Sequence, residues 1–421
     1  MIRGTAALAA AICLELASPA RASTMDLFGF GGRSPALAGT GIASSTDYEA
    51  TFLDPAGLAD AHVKSATVGF LYGDFDLLLA GQKTSTSPAR GSVIGAVVPM
   101  PFGGVLKDRV ALGMGFYVPL DTLNKAKAPF PGQPTFALLA NRSQVIAIQV
   151  AVGVRLNPRW SVGVGVIALA ALDGTIAVTT DAAGRFTTFA QEKLVTQLAP
   201  VVGTRFHRPG SALTYGGTVR FPSRSDYDID VVTNLGNVVP IQLPPIRIAG
   251  NAQFDPLTVA GEVAWQWQPD VLLSGQLEYQ HWSAFPLPTE NPVTGDPPQG
   301  PTGFHDIVIP RVSLEHTRRA GNAHLALRAG YAFLWSPAPE ETGRQSLLDN
   351  DRHLASVGAG LSWPDAAIPL HVDAWFQAQY LVFRANKKDP GLFLPGEEIP
   401  FDEASTRGHI LATGITVGVD L

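Results

Sequence analysis

The sequence predicts an all-β protein: a transmembrane antiparallel β-barrel of about fourteen strands, with its N-terminal segment plugging the lumen as a hatch. Three observations carry that expectation. Only 16% of the 421 residues are charged and 46% are hydrophobic, yet past the N-terminal leader no apolar run reaches the roughly 18–20 residues a membrane-crossing helix needs. Apolar residues instead alternate with Gly, Ser, Thr, Gln and charge in runs of about ten, enough for a tilted strand to cross a hydrocarbon layer. Short and long links alternate between these runs, as they do when one rim of a barrel is confined and the other faces the exterior. A water-soluble sandwich or propeller would show strands of about 5–6 residues and an apolar core face. The second face here is polar or glycine, which suits a lumen.

Residues 1–22, "MIRGTAALAAAICLELASPARA", read as a secretory signal peptide. Arg3 supplies the positive start, "AALAAAICLELA" the apolar stretch, and Ala20-Arg21-Ala22 the small-residue site with cleavage before Ser23. Cys13 is the single cysteine and leaves with the leader, so no disulfide, thiolate metal site or cysteine nucleophile is expected in the remainder.

Residues 23–64 have neither clean alternation nor a helical stripe. As an exposed tail they would bring Met25, Leu27, Phe28, Phe30, Ile42, Phe52, Leu53 and Leu58 into water. A ring of about fourteen strands has a lumen too wide for its own side chains to fill, so the segment is expected inside it. Gly29, Gly31, Gly32, Gly39 and Gly41 would let the backbone fold tightly and pass close to the wall. "DPAGL" then turns the chain into the first strand of a barrel spanning 65–421.

Within the barrel, Ile146, Ile148, Val150, Val152 and Val154 share one face, as do Val162, Val164 and Val166. Leu257, Val259, Val263, Trp265 and Trp267 alternate with Thr258, Glu262 and Gln266. Leu273, Leu277 and Tyr279 oppose Ser274, Gln276, Glu278 and Gln280; Leu325, Leu327, Tyr331, Phe333 and Trp335 oppose His324 and Arg328. Val372, Phe376 and Tyr380 stand against His371, Asp373, Gln377 and Gln379, and Leu411, Ile415, Val417, Val419 and Leu421 close the series. Tight links are expected at 157–159, 208–210, 268–270, 318–322 and 364–367. Long ones are expected at 119–143, 172–193, 222–256, 281–305, 335–352 and 382–408. Trp160, Phe221, Trp265, Tyr279, Trp335, Trp363 and Tyr380 fall toward strand ends, as interfacial girdles do.

Residues 34–59, 277–285 and 327–361, with the Asp-Pro-Ala-Gly turn at 54–57, Trp282-Ser283-Ala284-Phe285 and the Ser336-Pro337 to Asp351-Arg352 run, carry a resemblance to the FadL/TodX family of outer-membrane channels for long-chain fatty acids and hydrocarbons. "SPALAGTGIASSTDYEATFLDPAGLA" resembles the family's hatch and its Asn-Pro-Ala turn, with Asp54 in place of the asparagine before Pro55, Ala56 and Gly57. Asp can build the same turn through a carboxylate oxygen, at the cost of a charge and of the amide donor. "LEYQHWSAF" (277–285) and "LRAGYAFLWSPAPEETGRQSLLDNDRHLASVGAGL" (327–361) resemble the family's later strands. The chain ends in Leu421 where such barrels end in an aromatic, which reads as a weakened assembly signal.

The resemblance implies passive uptake of a hydrophobic small molecule: capture at the outer loops, a pocket above the hatch, hatch movement and lateral exit through the wall. The apolar loop stretches 128–140, 231–246 and 391–400 read either as capture surface or as a lid packed on itself. By parity, Arg155, Arg220, Arg311, Arg328, Glu262, Glu278, Glu315 and Asp373 point into the lumen, where they pair with one another and the plug or orient a polar head group. Arg311 and Arg328 are the candidates for a carboxylate, because a guanidinium matches it bidentately. Phe28 and Phe30 are the hatch side chains expected to meet cargo. Gly113 and Gly115, running into Pro119, are candidates for a kink at a lateral gate.

No enzyme signature, metal-ligand spacing or cofactor motif stands out. A triad assembled from distant strands stays open. A net charge of −6 gives no nucleic-acid footprint. The expected setting is a Gram-negative outer membrane, in contact with lipid and lipopolysaccharide, as a monomer. The alternative is a hatch-bearing barrel that binds a protein partner in secretion or assembly.

Overall fold

The computed structural model describes residues 24–120, 134–139, 146–180, 186–234, 246–287, 301–393, 395–396, 399 and 401–421. The leader 1–22 with Cys13, and most of the loop stretches 128–140 and 231–246, therefore lie outside the described residues.

The barrel strands are β1 (Ser65–Leu79), β2 (Ala89–Pro99), β3 (Val110–Pro119), β4 (Ala147–Arg155), β5 (Trp160–Thr180), β6 (Phe186–His207) and β7 (Leu213–Arg220). They continue as β8 (Thr258–Gln268), β9 (Val271–Gln280), β10 (Ile307–Ala320), β11 (Ala323–Leu334), β12 (Arg352–Trp363), β13 (Leu370–Lys387) and β14 (Glu403–Asp420). Each pairs antiparallel with the next. β14 returns to pair with β1 from Ser65↔Asp420 to Leu79↔Thr406, closing a ring of 14 strands. Closure leaves no free sheet edge, the condition for backbone to stand in lipid. Both chain ends of the ring meet on the short-link rim, where the Leu421 N–H donates to Lys64 O at 2.7 Å.

Alternation decides which side chain faces which medium. In β8, Val259, Val263, Trp265 and Trp267 are exposed, while Thr258, Ala260, Glu262 and Ala264 are buried. The same split places Leu277, Val312, Tyr331, Phe376 and Ile415 outside, and Gln276, Arg311, Gln377 and Thr416 inside. An apolar exterior running right round a ring would aggregate in water and fits hydrocarbon. Trp160, Trp265 and Trp267 are exposed toward the short-link rim, and Tyr279, Trp335 and Tyr380 toward the other. Among the described residues, no helix is long and apolar enough to cross a membrane.

Three of the expected long loops turn out to hold strand. β5 and β6 stay paired from Trp160↔Phe206 to Thr180↔Phe186, across the region read as a link at 172–193. Residues 223–234 and 246–255 form a hairpin whose first strand runs parallel to β5, from Tyr227↔Leu172 to Asn234↔Thr179. β13 and β14 continue past a bulge at Leu381/Arg384 to Lys387 and Glu403. These segments keep the ladder, and one of them alternates in sequence, with Tyr227, Ile229 and Val231 set against Asp226, Asp228 and Asp230. Above the ring, Phe254, Trp282, Phe285, Phe304, Leu138, Leu334, Leu347 and Leu354 pack into one buried cluster, with Phe285 stacked on Phe304 at 4.0 Å.

Candidate functional site

Residues 24–60 are irregular and almost entirely buried: helical turns at Thr24–Phe28, Arg33–Ala36 and Ala50–Leu53, then a 3-10 turn at Pro55–Asp60. Positive φ at Gly29 (88°), Gly31 (107°), Gly39 (87°) and Gly41 (142°) supplies bends that side-chain-bearing residues resist. Glu49 holds the first half of the segment together. It accepts from the N–H groups of Gly32 and Arg33 at 2.7 Å and of Ser34 at 2.8 Å. Burial pushes its carboxyl up to about 8, with Asp47 adding to the rise, while those donors and Arg33 pull it back.

The wall grips the segment through inward residues of many strands. Arg33 forks onto Glu315 with two contacts of 2.9 Å; Glu315 also accepts from Arg328 Nε at 2.6 Å, and Arg328 reaches Asp373. Glu262 takes the N–H groups of Gly41 and Ile42, both at 2.7 Å. Arg155 binds Asp60 at 2.8 Å, Arg220 binds Asp26 at 3.0 Å, and Arg311 donates to Ala38 O at 2.8 Å with Glu278 at 3.5 Å. Gln377 donates to Phe28 O and Pro35 O, Gln379 to Leu27 O, and Ser356 to Ala36 O. Among the grips that the sequence reading did not assign are Arg205, which donates to Ile42 O at 3.0 Å and Ser45 O at 2.7 Å, and Gln149, which accepts from Thr51. Parity with Val201 would have placed Arg205 inside; it sat at a strand end and was passed over.

Glycine makes the seat. Gly153, Gly163 and Gly203 stand side by side on β4, β5 and β6. A Cβ on Gly163 would lie 2.2 Å from the Pro55 carbonyl carbon, and one on Gly203 would lie 1.8 Å from Asp54 Oδ1. The Asp54-Pro55-Ala56-Gly57 turn rests on this bare strip. Asp54 builds the turn through Oδ1, which accepts from the Ala56 N–H at 2.9 Å, while buried Oδ2 has no partner.

Burial pushes the Asp54 carboxyl from 3.8 up to about 7, against the pull of Arg205 and the Ala56 N–H. The folded state therefore holds a proton between those values that the unfolded chain releases. Stability falls as pH rises through that window, and the loss is complete above it. Asp54→Asn keeps the acceptor and removes the charge, so it is expected to stabilise the protein by about 2–4 kcal/mol at pH 8 and to have little effect at pH 4. Thermal melts at both pH values check this; equal shifts at the two would contradict it.

The other sequence-predicted residues are placed as follows. Arg328 is held between Glu315 and Asp373, and Arg311 by Ala38 and Glu278. Phe28 packs on Phe75 with centroids 6.1 Å apart; Phe30 meets Tyr48 at 5.6 Å and Phe52 at 6.2 Å. Gly113 and Gly115 mark no kink in this state, since β3 pairs with β2 and β4 without a register shift. The room that they leave is filled by Leu58, Thr51 and Phe30. The described residues contain no group of three or more metal-ligating side chains.

Cavities flank the segment unequally. On the short-link side a 730 Å³ cavity is lined by Asp47, Asp60, Arg155, Arg159, Arg205 and Glu315 among others. On the opposite side are two small ones, of 30 Å³ beside Phe28, Phe52 and Leu53, and of 20 Å³ beside Leu138, Trp282 and Ile309.

No family model matches the chain, and no curated protein does. Solved structures do. A Pseudomonas aeruginosa FadL homologue superposes with a TM-score of 0.57 at 14% identity, covering 96% of this chain and 98% of that one. The toluene transporter TodX of P. putida gives 0.55 at 13% over 94% and 99%. The toluene transporter TbuX of Ralstonia pickettii gives 0.53 at 14% over 94% and 100%. At such identities the likeness is one of architecture. This chain has the barrel fold of the FadL/TodX channels.

Proposed function

We propose that this protein is a bacterial outer-membrane channel for passive uptake of hydrophobic small molecules, of the fatty-acid or hydrocarbon kind, with residues 24–60 as its hatch. The observation that carries the reading is the polarity difference across that segment. Above it one buried cluster is aromatic and aliphatic, with Asp26, Arg220, Glu278 and Arg311 bordering only the two small cavities; below it lies a roomy cavity lined by charge. Apolar cargo is attracted to the first environment and repelled by the second. Exit sideways into the bilayer avoids the charged cavity altogether. β3 is the proposed gate, because Gly113 and Gly115 present no side chain and only hatch residues fill the gap behind them. Fold likeness to channels described as transporting toluene supports the reading.

Deleting residues 24–60 is expected to abolish selective uptake of a labelled long-chain fatty acid or toluene and to admit small hydrophilic solutes. Uptake by whole cells is compared among wild type, the deletion and a full knockout. Equal uptake of every apolar probe by all three strains would end the transport reading.

A further inference from the structure

Asp60, at the end of the N-terminal segment, reaches the 730 Å³ cavity on the short-link side between two arginines of the wall. Arg155, Ser161 and Arg205 form one rung across β4, β5 and β6, which sets the two arginine Cα atoms about 10 Å apart, two strand spacings. Both guanidinium groups turn onto Asp60, and one carboxylate spans them unequally. Its Oδ1 lies 2.8 Å from Arg155 and its Oδ2 3.6 Å from Arg205. Arg205 is 5% exposed, and its Nε is buried without a hydrogen-bond partner; so is the Oγ of Ser45, which lines the same cavity. Arg159, in the turn between β4 and β5, adds a third guanidinium. Its carbonyl accepts from the His207 N–H at 2.9 Å, which fixes that turn beside the end of β6. The other carboxylates of the cavity are engaged elsewhere. Glu315 is shared by Arg33 and Arg328, and Asp47 accepts from the Glu49 N–H at 2.9 Å. Among the described residues, Arg155, Arg159, Arg205 and His207 therefore face a single carboxylate.

A guanidinium buried with acceptors missing is under-satisfied, and an oxyanion with more oxygens than a carboxylate corrects that. Phosphate has the extra oxygens, matches the fork of an arginine, and carries more negative charge than Asp60 does. The cavity has the volume of a small-molecule site. Asn157, Pro158 and Arg159 on its margin are exposed, so a solute enters from the short-link side. We propose that this cavity binds a phosphate- or diphosphate-bearing solute through Arg155, Arg159 and Arg205, with Asp60 as the built-in occupant that the solute displaces. Displacement leaves the segment docked, because Arg155 also donates to Ala59 O at 2.9 Å and Arg205 to Ile42 O and Ser45 O. The site lies across the segment from the apolar cluster and does not depend on what the channel carries.

The test is calorimetric titration of pyrophosphate into the full-length protein in detergent, at one salt concentration throughout because salt screens exposed charges. Wild type is expected to bind. D60N removes the competing charge and keeps the size of the side chain, so it should bind about tenfold more tightly. R159Q should bind about tenfold more weakly, through the loss of one charge-assisted contact. Heat-dependent mobility on a gel checks that both variants fold, and Arg159 lies in an exposed turn of the wall rather than in the segment. Wild type that binds no pyrophosphate overturns the assignment, as does binding that D60N fails to tighten or R159Q fails to weaken.

Discussion

Glu315→Ala is expected to loosen the N-terminal segment from the wall more than any other single change to a side-chain contact. Glu315 is the shared acceptor of Arg33 from the segment and Arg328 from β11, at 2.9 and 2.6 Å. Removing one partner of a buried pair costs about 3–5 kcal/mol, because the other charge stays behind uncompensated. Glu315 keeps 13% side-chain exposure and Arg33 16%, so a figure of about 2–3 kcal/mol is appropriate here. The barrel should still assemble, since the ladders of β10 involve only backbone. The readout is hydrogen exchange at Gly32, Arg33 and Ser34, whose amides donate to Glu49 within the segment, at the point where Arg33 ties it to Glu315. Exchange at those amides should quicken about 30- to 150-fold, following the lost free energy. The double variant R33M/E315A should recover part of the loss, because it strands one charge fewer. Unchanged protection in E315A would mean that Glu262, Arg205 and the glutamines hold the segment by themselves.

The strands were legible because lipid writes directly onto sequence. Val259 and Trp265 face hydrocarbon, Glu262 faces the plug, and period 2 follows from nothing more than that difference. Lumen charges were legible for the same reason, and every one assigned by parity lies inward. What they bind was not legible. Arg328 and Arg155 make different contacts although their sequence environments are alike, because their partners lie on strands or turns far away in the chain. The strands at 223–234 and 246–255 were missed although Tyr227, Ile229 and Val231 alternate with Asp226, Asp228 and Asp230, because the sequence between them, with Pro240, Pro244 and Pro245, reads with them as one long link. One use of glycine was not legible either: Gly113 and Gly115 leave room for Leu58, Thr51 and Phe30 of the segment.

That use of glycine leads to the sharpest steric expectation. Gly163→Val should dislodge the Asp54-Pro55-Ala56 turn and leave the ring intact. The added Cβ would lie 2.2 Å from Pro55 C and 2.3 Å from Ala56 N, both backbone atoms of a rigid turn, so no rotamer change relieves the clash. Neighbouring strips offer no refuge: a Cβ on Gly153 would lie 2.6 Å from Ala59 N and Pro55 O, and one on Gly203 would meet the Asp54 carboxylate. Overpacking a tight site costs about 1–3 kcal/mol when side chains can yield and more when backbone must. Valine is itself a good strand residue, so β5 loses nothing by the change. Cells carrying G163V should thus become permeable to small hydrophilic solutes, while the purified barrel keeps its folded mobility on a gel. Gly275→Ala is the control, since nothing lies within 4 Å of the Cβ it would add. If G163V remained sealed while G275A behaved as wild type, the turn would have to be far softer than its packing against the three glycines implies. The hatch would then be a compliant filler whose position the wall does not dictate.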